Sequence, residues 1–247
     1  MAGTHKGKVQ NTLKTNKSGR RMTMRKISIF AVMVILAGVI SFSPQAFGQG
    51  RSKVLMIPRE GYSADLDLMI KMEIGVMKLL LKNAGLDVDI ATSSGLPIVG
   101  PTEKVTDIKW LRNINVDDYA GVIIPCMAVG GAVQPYPPVS PDVIAIVKKA
   151  LSNGKPVAAN GNAPSTLAEA GVLKGKKYSY MRDPLKPTAT VPFPFPAFEG
   201  AIYSGSGLVQ DGLIITSGVC PTLEKVYGME NGTVKLTKAF IAAVPKK

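Results

Sequence analysis

Residues 154–177 read GKPVAANGNAPSTLAEAGVLKGKK, and the way this stretch must turn decides the fold. Residues 156–159 are a short apolar run, which reads as a buried strand. Asn160, Gly161, Asn162 and Ala163 make a tight turn, and Pro164 opens a helix. Proline suits a first helical turn because its missing N–H has no intrahelical acceptor there. Ser165 and Thr166 can satisfy nearby orphan N–H groups, and Gly171 ends the helix as a C′ residue. A strand–turn–helix this sharp has the geometry of a nucleophile elbow, which lifts one residue above the carboxyl edge of a sheet.

Upstream, residues 53–57 (KVLMI) form an apolar run stopped by Pro58, as a buried first strand does. Residues 59–63 read as a loop, and a helix follows over residues 64–84, closed by Gly85. Its apolar stripe runs through Leu66, Met69, Ile70, Val76, Met77, Leu80 and Leu81, and Glu73 falls in the middle of it. Two placements fit Glu73. It sits at the stripe's edge and reaches water, or it is a buried acid that needs a partner.

Residues 87–92 alternate as a second strand, and residues 96–99 add a hairpin arm. Residues 107–118 are polar, with Trp110 and Leu111 covering an edge. Residues 119–125 (YAGVIIP) are continuous and apolar, as in a central parallel strand. Residues 134–141 form a proline-rich loop, and residues 141–152 an amphipathic helix stopped by Asn153 and Gly154.

Downstream, residues 177–181 are strand-like. Residues 183–198 interleave five prolines with Phe193, Phe195 and Phe198 and cannot form a central strand. They read as an insertion covering a pocket or subunit interface, or as a loop lying on its own domain. Residues 207–217 form a hairpin turning at Asp211-Gly212, and residues 236–244 a last helix. The alternation of strands and helices gives an α/β class, a three-layer sandwich on a mostly parallel central sheet.

Residues 154–177 also resemble the ThiJ/PfpI family of the class I glutamine amidotransferase-like superfamily. There a KPVAA strand enters an Ile-Cys-His-Gly-Pro elbow and a helix ending in AGVLKGKK. In this chain Gly161 stands where the family has its Cys nucleophile, and Asn162 where many members have His. Counting back from Gly85 places Glu73 on the family's Glu that hydrogen-bonds the nucleophile. Cys126 and Met127 fall where members have the Gly-Gly of the oxyanion site, with Gly130-Gly131 slightly later. Thr216 and Ser217 match the segment before the loop beside the nucleophile, where Gly218-Val219-Cys220-Pro221 replaces the common Arg-Gly-Pro. The resemblance covers roughly residues 52–226. It implies a flavodoxin-like sheet with its site at the strands' carboxyl ends, no cofactor, and a homo-oligomer.

The N-terminal region has a different character. Of the chain's 30 Lys and Arg, eight lie in residues 1–50, which hold no acid. The remainder carries 22 bases against 17 acids, with no concentrated basic run and little aromatic interleaving, which disfavours nucleic-acid binding. A basic segment, an apolar run at 27–42 and the small residues Ala46 and Gly48 make a secretory signal peptide cleaved after Gly48. The expected organisation is therefore a signal peptide with a basic extension over residues 1–48 and one domain over 49–247. The mature protein would be exported, periplasmic or secreted. The alternative is a membrane anchor through residues 27–42, a run short of the ~20 apolar residues that a span takes. Arg20-Arg21 hints at twin-arginine export, but Thr23 breaks the apolar pattern after the pair. Met22 and Met24 are alternative starts.

Little familiar chemistry is left in the mature domain. The chain's one histidine is His5, so the domain has no Ser-His-Asp or Cys-His arrangement and no histidine metal site. There is no CxxC, Walker A or Rossmann glycine pattern. Gly161 keeps the turn without strain and removes the nucleophile. Helix-start N–H groups would leave an anion-friendly concavity there, flanked by Asn160 and Asn162, with Glu73 pointing into it. Three readings follow. The first is an exported, non-catalytic protein that binds a small anionic ligand or a protein partner in the degenerate site formed by Glu73, Cys126, Met127, Asn160, Gly161, Asn162, Ser217 and Cys220. The second is a hydrolase of peptidase, deglycase or amidohydrolase type with Cys126 as a relocated nucleophile. The third is a redox-responsive protein working through Cys126 and Cys220. By the resemblance these two cysteines follow strands on either side of the one ending at Gly161, about 9.6 Å apart. They either lean together into a disulfide or remain two buried thiols.

Overall fold

The computed structural model describes residues 52–61, 63–127, 139–186, 188 and 194–245. The signal segment, the candidate anchor at 27–42, Gly130-Gly131, most of the proline-rich loop and much of the 183–198 insertion lie outside the described residues. Residues 48–247 form one compact unit. Among the described residues, no helix is long and apolar enough to cross a membrane.

The chain runs β1 (Lys53–Met56), α1 (Leu66–Met69), a π-helical turn (Ile70–Gly75), α2 (Val76–Asn83), β2 (Asp87–Thr92), β3 (Ile98–Val99), β4 (Lys104–Val105) and β5 (Ile108–Trp110). It continues with β6 (Gly121–Ile124), α3 (Pro141–Ser152), β7 (Val157–Asn160), α4 (Pro164–Glu169), β8 (Lys177–Tyr178) and β9 (Ile202–Tyr203). It closes with β10 (Leu208–Asp211), β11 (Ile214–Ser217), α5 (Pro221–Tyr227) and α6 (Thr233–Ala243).

Seven strands make one sheet in the order β10-β11-β7-β6-β1-β2-β5, parallel except for the β10–β11 hairpin. The mostly parallel sheet and the α/β class match the sequence reading. Short apolar runs become central strands because both faces are covered, and each run splits its side chains between two cores by the period of 2. Leu55, Val122, Ile124, Val157 and Ala159 pack with α3 and α4 on one face. Val54, Met56, Ile123, Ala158 and Ile215 pack with the α1–α2 segment and α6 on the other.

Three local findings differ from the sequence reading. The polar segment 107–118 contributes β5, which pairs in parallel with β2 as an edge strand. It escaped because a three-residue edge strand is too short and too exposed to show alternation. The loop after Ser217 leads directly into α5, whose first residue is Pro221. The helix over 64–84 is interrupted by the π-helical turn at Ile70–Gly75. Its wide turn brings Ile70 O close to residue 75, where a Cβ would stand 3.3 Å away, and glycine eases that approach. Such single π turns recur at functional sites, and this one carries Glu73.

Candidate functional site

Parallel strands in one sheet end at one edge, and the loops that leave β6, β7 and β11 meet there. Ser217 is paired with Asn160, and Ile124 with Ala159, so the three strands finish nearly level. Cys126, Gly161 and Cys220 lie in the loops that follow.

Gly161 occupies the elbow with φ +60°, a left-handed conformation that any side chain would strain. A Cβ built there would stand 2.5 Å from Cys126 Sγ, 3.0 Å from Cys126 Cβ and 2.8 Å from Cys220 Cβ. The place where an elbow side chain would begin is therefore filled by two cysteines arriving from the flanking strands. Both are buried and neither is in a disulfide. The Cys220 thiol is pushed well up by burial first, then by its hydrogen bond with Cys126 and by the charges of Cys126 and Glu73; the Leu223 N–H opposes this weakly.

Glu73 reaches the same point from the helical side. Its Oε1 accepts from Cys126 N at 2.8 Å and from Asn160 Nδ2 at 2.7 Å. Asn160 Nδ2 also donates to Thr233 Oγ1 at 3.0 Å, and Thr233 Oγ1 donates to Asn231 Oδ1 at 2.8 Å. Glu73 is only 1% exposed. Burial raises its pKa to about 7, against the opposing pull of the Cys126 N–H, the Asn160 amide and the Arg59 charge. Of the two placements open in the sequence, the buried, partnered one holds.

Seven of the eight candidate residues lie together at the elbow. Glu73, Cys126, Asn160, Gly161, Asn162, Ser217 and Cys220 meet at the elbow, while Met127 turns toward a neighbouring cavity. Sequence reasoning missed Thr233 and Asn231, which sit at the start of α6 with no motif to mark them. It also passed over Arg59. The rule that sites lie past the carboxyl ends of parallel strands could have flagged the loop after β1.

The expected anion-friendly concavity is not open. Gly161 N donates to Ser217 O at 2.7 Å, Asn162 N to Cys126 Sγ at 3.5 Å and Ala163 N to Asn160 O at 2.9 Å. Ser165 N and Thr166 N donate to Asn162 O and Ala163 O. Because the turn tightens into i→i+3 bonds, the elbow consumes its own donors.

Open space lies next to it. A cavity of about 270 Å³ is lined by Ile57, Arg59, Met127, Val143 and Thr166 among others. It sits past the ends of β1, β2 and β6 and against the first turns of α3 and α4, at the point where the strand order reverses. Arg59 there gives Nη1 to Ser63 Oγ at 2.9 Å and pairs with Asp65 at 3.3 Å. Glu60 accepts from Ser93 N and Ser94 N, tying the loop after β1 to the loop after β2. Among the described residues, no group of three or more His, Cys, Asp or Glu is placed to hold a metal ion.

The DJ-1/PfpI family model matches residues 62–227. The chain belongs to the DJ-1/PfpI family. An uncharacterised protein of Methanocaldococcus jannaschii is 29% identical over 218 residues, covering 84% of this chain and 95% of the relative. A deglycase of Thermococcus kodakarensis is 28% identical over 126 residues, covering 51% of this chain and 69% of that one. Among solved structures, a ThiJ/PfpI domain protein of Brachyspira murdochii shares the fold with a TM-score of 0.55. It is 14% identical, with 78% of this chain and 97% of that chain covered. The matched span, residues 62–227, runs from the loop before α1 to the end of α5 and so includes Glu73 and the elbow.

Proposed function

We propose that this chain is an exported, non-catalytic DJ-1/PfpI protein that binds a small ligand at the carboxyl edge of its sheet. The observation that carries the reading is the filled elbow. At Gly161 there is no side chain, no room for one, and no open N–H to receive an oxyanion. Binding moves instead to the neighbouring cavity, whose volume is that of about nine water molecules in the liquid. Its lining of apolar side chains with Arg59, Thr92 and Thr166 suits a small molecule that has an apolar body and a polar acceptor end. The protein is further proposed to act as a homo-oligomer.

A thermal-shift screen of small carboxylates and amides tests the binding. Stabilisation by at least one compound is expected, and it should vanish in Val143→Trp, which fills the cavity. Hits that survive Val143→Trp would overturn the placement. Export is tested by mass spectrometry of the cell-envelope fraction, which should show an N-terminus near Gln49.

One observation favours a second reading, hydrolysis by a relocated thiol: Cys126 Sγ lies 2.5 Å from where an elbow Cβ would be. Peptidase, deglycase and amidase assays on the wild type and Cys126→Ala separate the two readings. We expect no thiol-dependent turnover, and turnover lost in Cys126→Ala would establish the hydrolase.

A further inference from the structure

A glycine in a left-handed turn explains only the backbone at residue 161. It does not explain why both of the chain's cysteines converge on that residue from two different loops. Strands on either side of a third are too far apart for their residues to be bridged directly. Here the loops after β6 and β11 bend inward over β7, and they can do so only because residue 161 has no Cβ. Measured from that missing atom, Cys126 Cβ lies at 3.0 Å and Cys220 Cβ at 2.8 Å, with Cys126 Sγ at 2.5 Å. The two Cβ atoms are therefore separated by less than the sum of 3.0 and 2.8 Å. A disulfide takes a Cβ–Cβ distance of about 3.8 Å. The Cys220 thiol has the Cys126 thiol as its hydrogen-bond partner, and both cysteines belong to the buried apolar cluster that also holds Ala159, Ala163 and Leu223.

We propose that Cys126 and Cys220 form an internal disulfide across Gly161, so that a covalent staple replaces the missing nucleophile. The proposal goes beyond ligand binding and does not depend on it. The bond forms by thiol–disulfide exchange with a protein or low-molecular-weight disulfide. The Cys126 thiolate attacks one sulfur of that oxidant, whose other sulfur leaves as a thiolate. The Cys220 sulfur then attacks Cys126 in the mixed disulfide and expels the second thiolate of the oxidant. The two cysteines lose two electrons and two protons, and the oxidant is reduced to two thiols. Both sulfurs are buried in the folded domain, so the exchange takes place during folding. The bridge ties the loop after β6 to the loop after β11 and closes the chain from residue 126 to residue 220. In the chain-entropy view so long a loop is strongly stabilised by closure.

The full chain, unfolded and reduced, is refolded in a mixture of oxidised and reduced glutathione and then alkylated in denaturant. The expected product takes up no alkylating agent, is lighter than the reduced chain by two hydrogens, and migrates as a monomer without reductant. Its thermal midpoint should exceed that of the reduced form by on the order of 10 °C. Cys126→Ala and Cys220→Ala should each lose the difference between oxidising and reducing conditions. Two alkylated thiols in the refolded wild type would overturn the proposal, as would a product held only in glutathione adducts or in dimers linked between chains. The wild-type thiol count decides this even if either alanine variant fails to fold.

Discussion

Two places on the same sheet edge, side by side, have been treated in opposite ways. At the end of β7 the elbow is closed: its backbone donors, the Glu73 carboxylate and two thiols are spent on one another, and Gly161 leaves no projecting atom. Past β1, β2 and β6, the edge stays open as a cavity with polar side chains on its wall. The difference teaches that a sharp strand–turn–helix elbow and usable space at the same sheet edge are separate properties. An elbow exposes its nucleophile by straining the turn that holds it. Once a glycine takes that position the strain disappears, and neighbouring side chains can pack into the vacated volume, because interiors close to crystal-like density.

Placing a thiol side chain at the elbow is the strongest way to break this contrast. Gly161→Cys must place a Cβ at φ +60° and inside the contact distance of both cysteines. Backbone strain of about 1–3 kcal/mol adds to overpacking of about 1–3 kcal/mol. We expect a loss on the order of 4 kcal/mol by chemical denaturation. Under reducing conditions, adding Cys126→Ala should return the part of the overpacking that Cys126 Sγ causes and leave the Cys220 and backbone shares. Full stability in Gly161→Cys alone would show that the elbow can open.

Glu73→Ala comes next, since it leaves Cys126 N without its acceptor and takes one of the two acceptors of Asn160 Nδ2. Each lost acceptor costs about 1–3 kcal/mol, so a loss on the order of 3 kcal/mol is expected. Glu73→Gln keeps an acceptor oxygen in place and should fold normally.

The same carboxyl predicts a pH dependence whose sign is unusual for an acid. Its folded pKa, about 7, lies above the reference value of 4.5. The folded state therefore holds the proton where the unfolded state has lost it, and folding is favoured by protonation. This contribution is fully present below pH 4.5, falls as pH rises through about 7, and is gone above that. Its full size is on the order of 3 kcal/mol. Urea midpoints measured from pH 5 to 8 should fall for the wild type, and Glu73→Gln should remove that slope. A wild-type profile that rises over this interval would mean that Glu73 is ionised in the native protein.

How much of this was legible follows from what carries each feature. The sheet could be read because its central strands are apolar on both faces, and residues 119–125 and 156–159 show this without ambiguity. The elbow could be read because Pro164 and Gly171 punctuate its helix. Glu73 was found by its place in an apolar stripe, although the stripe was assumed to be regular. A π turn shifts the helical phase by about one residue, and no single residue type announces it. The lean of the two cysteine loops was one of two options in the sequence, but the closure of the elbow was not legible, because the i→i+3 bonds that use up its donors leave no residue signature. The cavity was missed for a related reason: its wall is drawn from β1, β2, β6, α3 and α4, and no motif spans them.

The smallest effect tests the open half of the contrast. Thr166 lines the cavity from the first turns of α4, yet its Oγ1 is buried with no hydrogen-bond partner. A hydroxyl in that state contributes nothing to offset its desolvation. Thr166→Val keeps the branched shape and exchanges the hydroxyl for a methyl group. Stability should therefore change by less than about 1 kcal/mol, in the stabilising direction. Ser165 next to it is the contrasting control, because its Oγ donates to Asn162 O at 2.7 Å and holds the turn. Ser165→Ala removes that bond and should destabilise by about 1 kcal/mol. If Thr166→Val instead cost as much as Ser165→Ala, the Thr166 hydroxyl would have a partner in solution, such as a bound water or a ligand in the cavity. Repeating the pair of measurements with a compound from the thermal-shift screen would then tell these two apart, since only a ligand partner would make the Thr166→Val cost grow with ligand concentration.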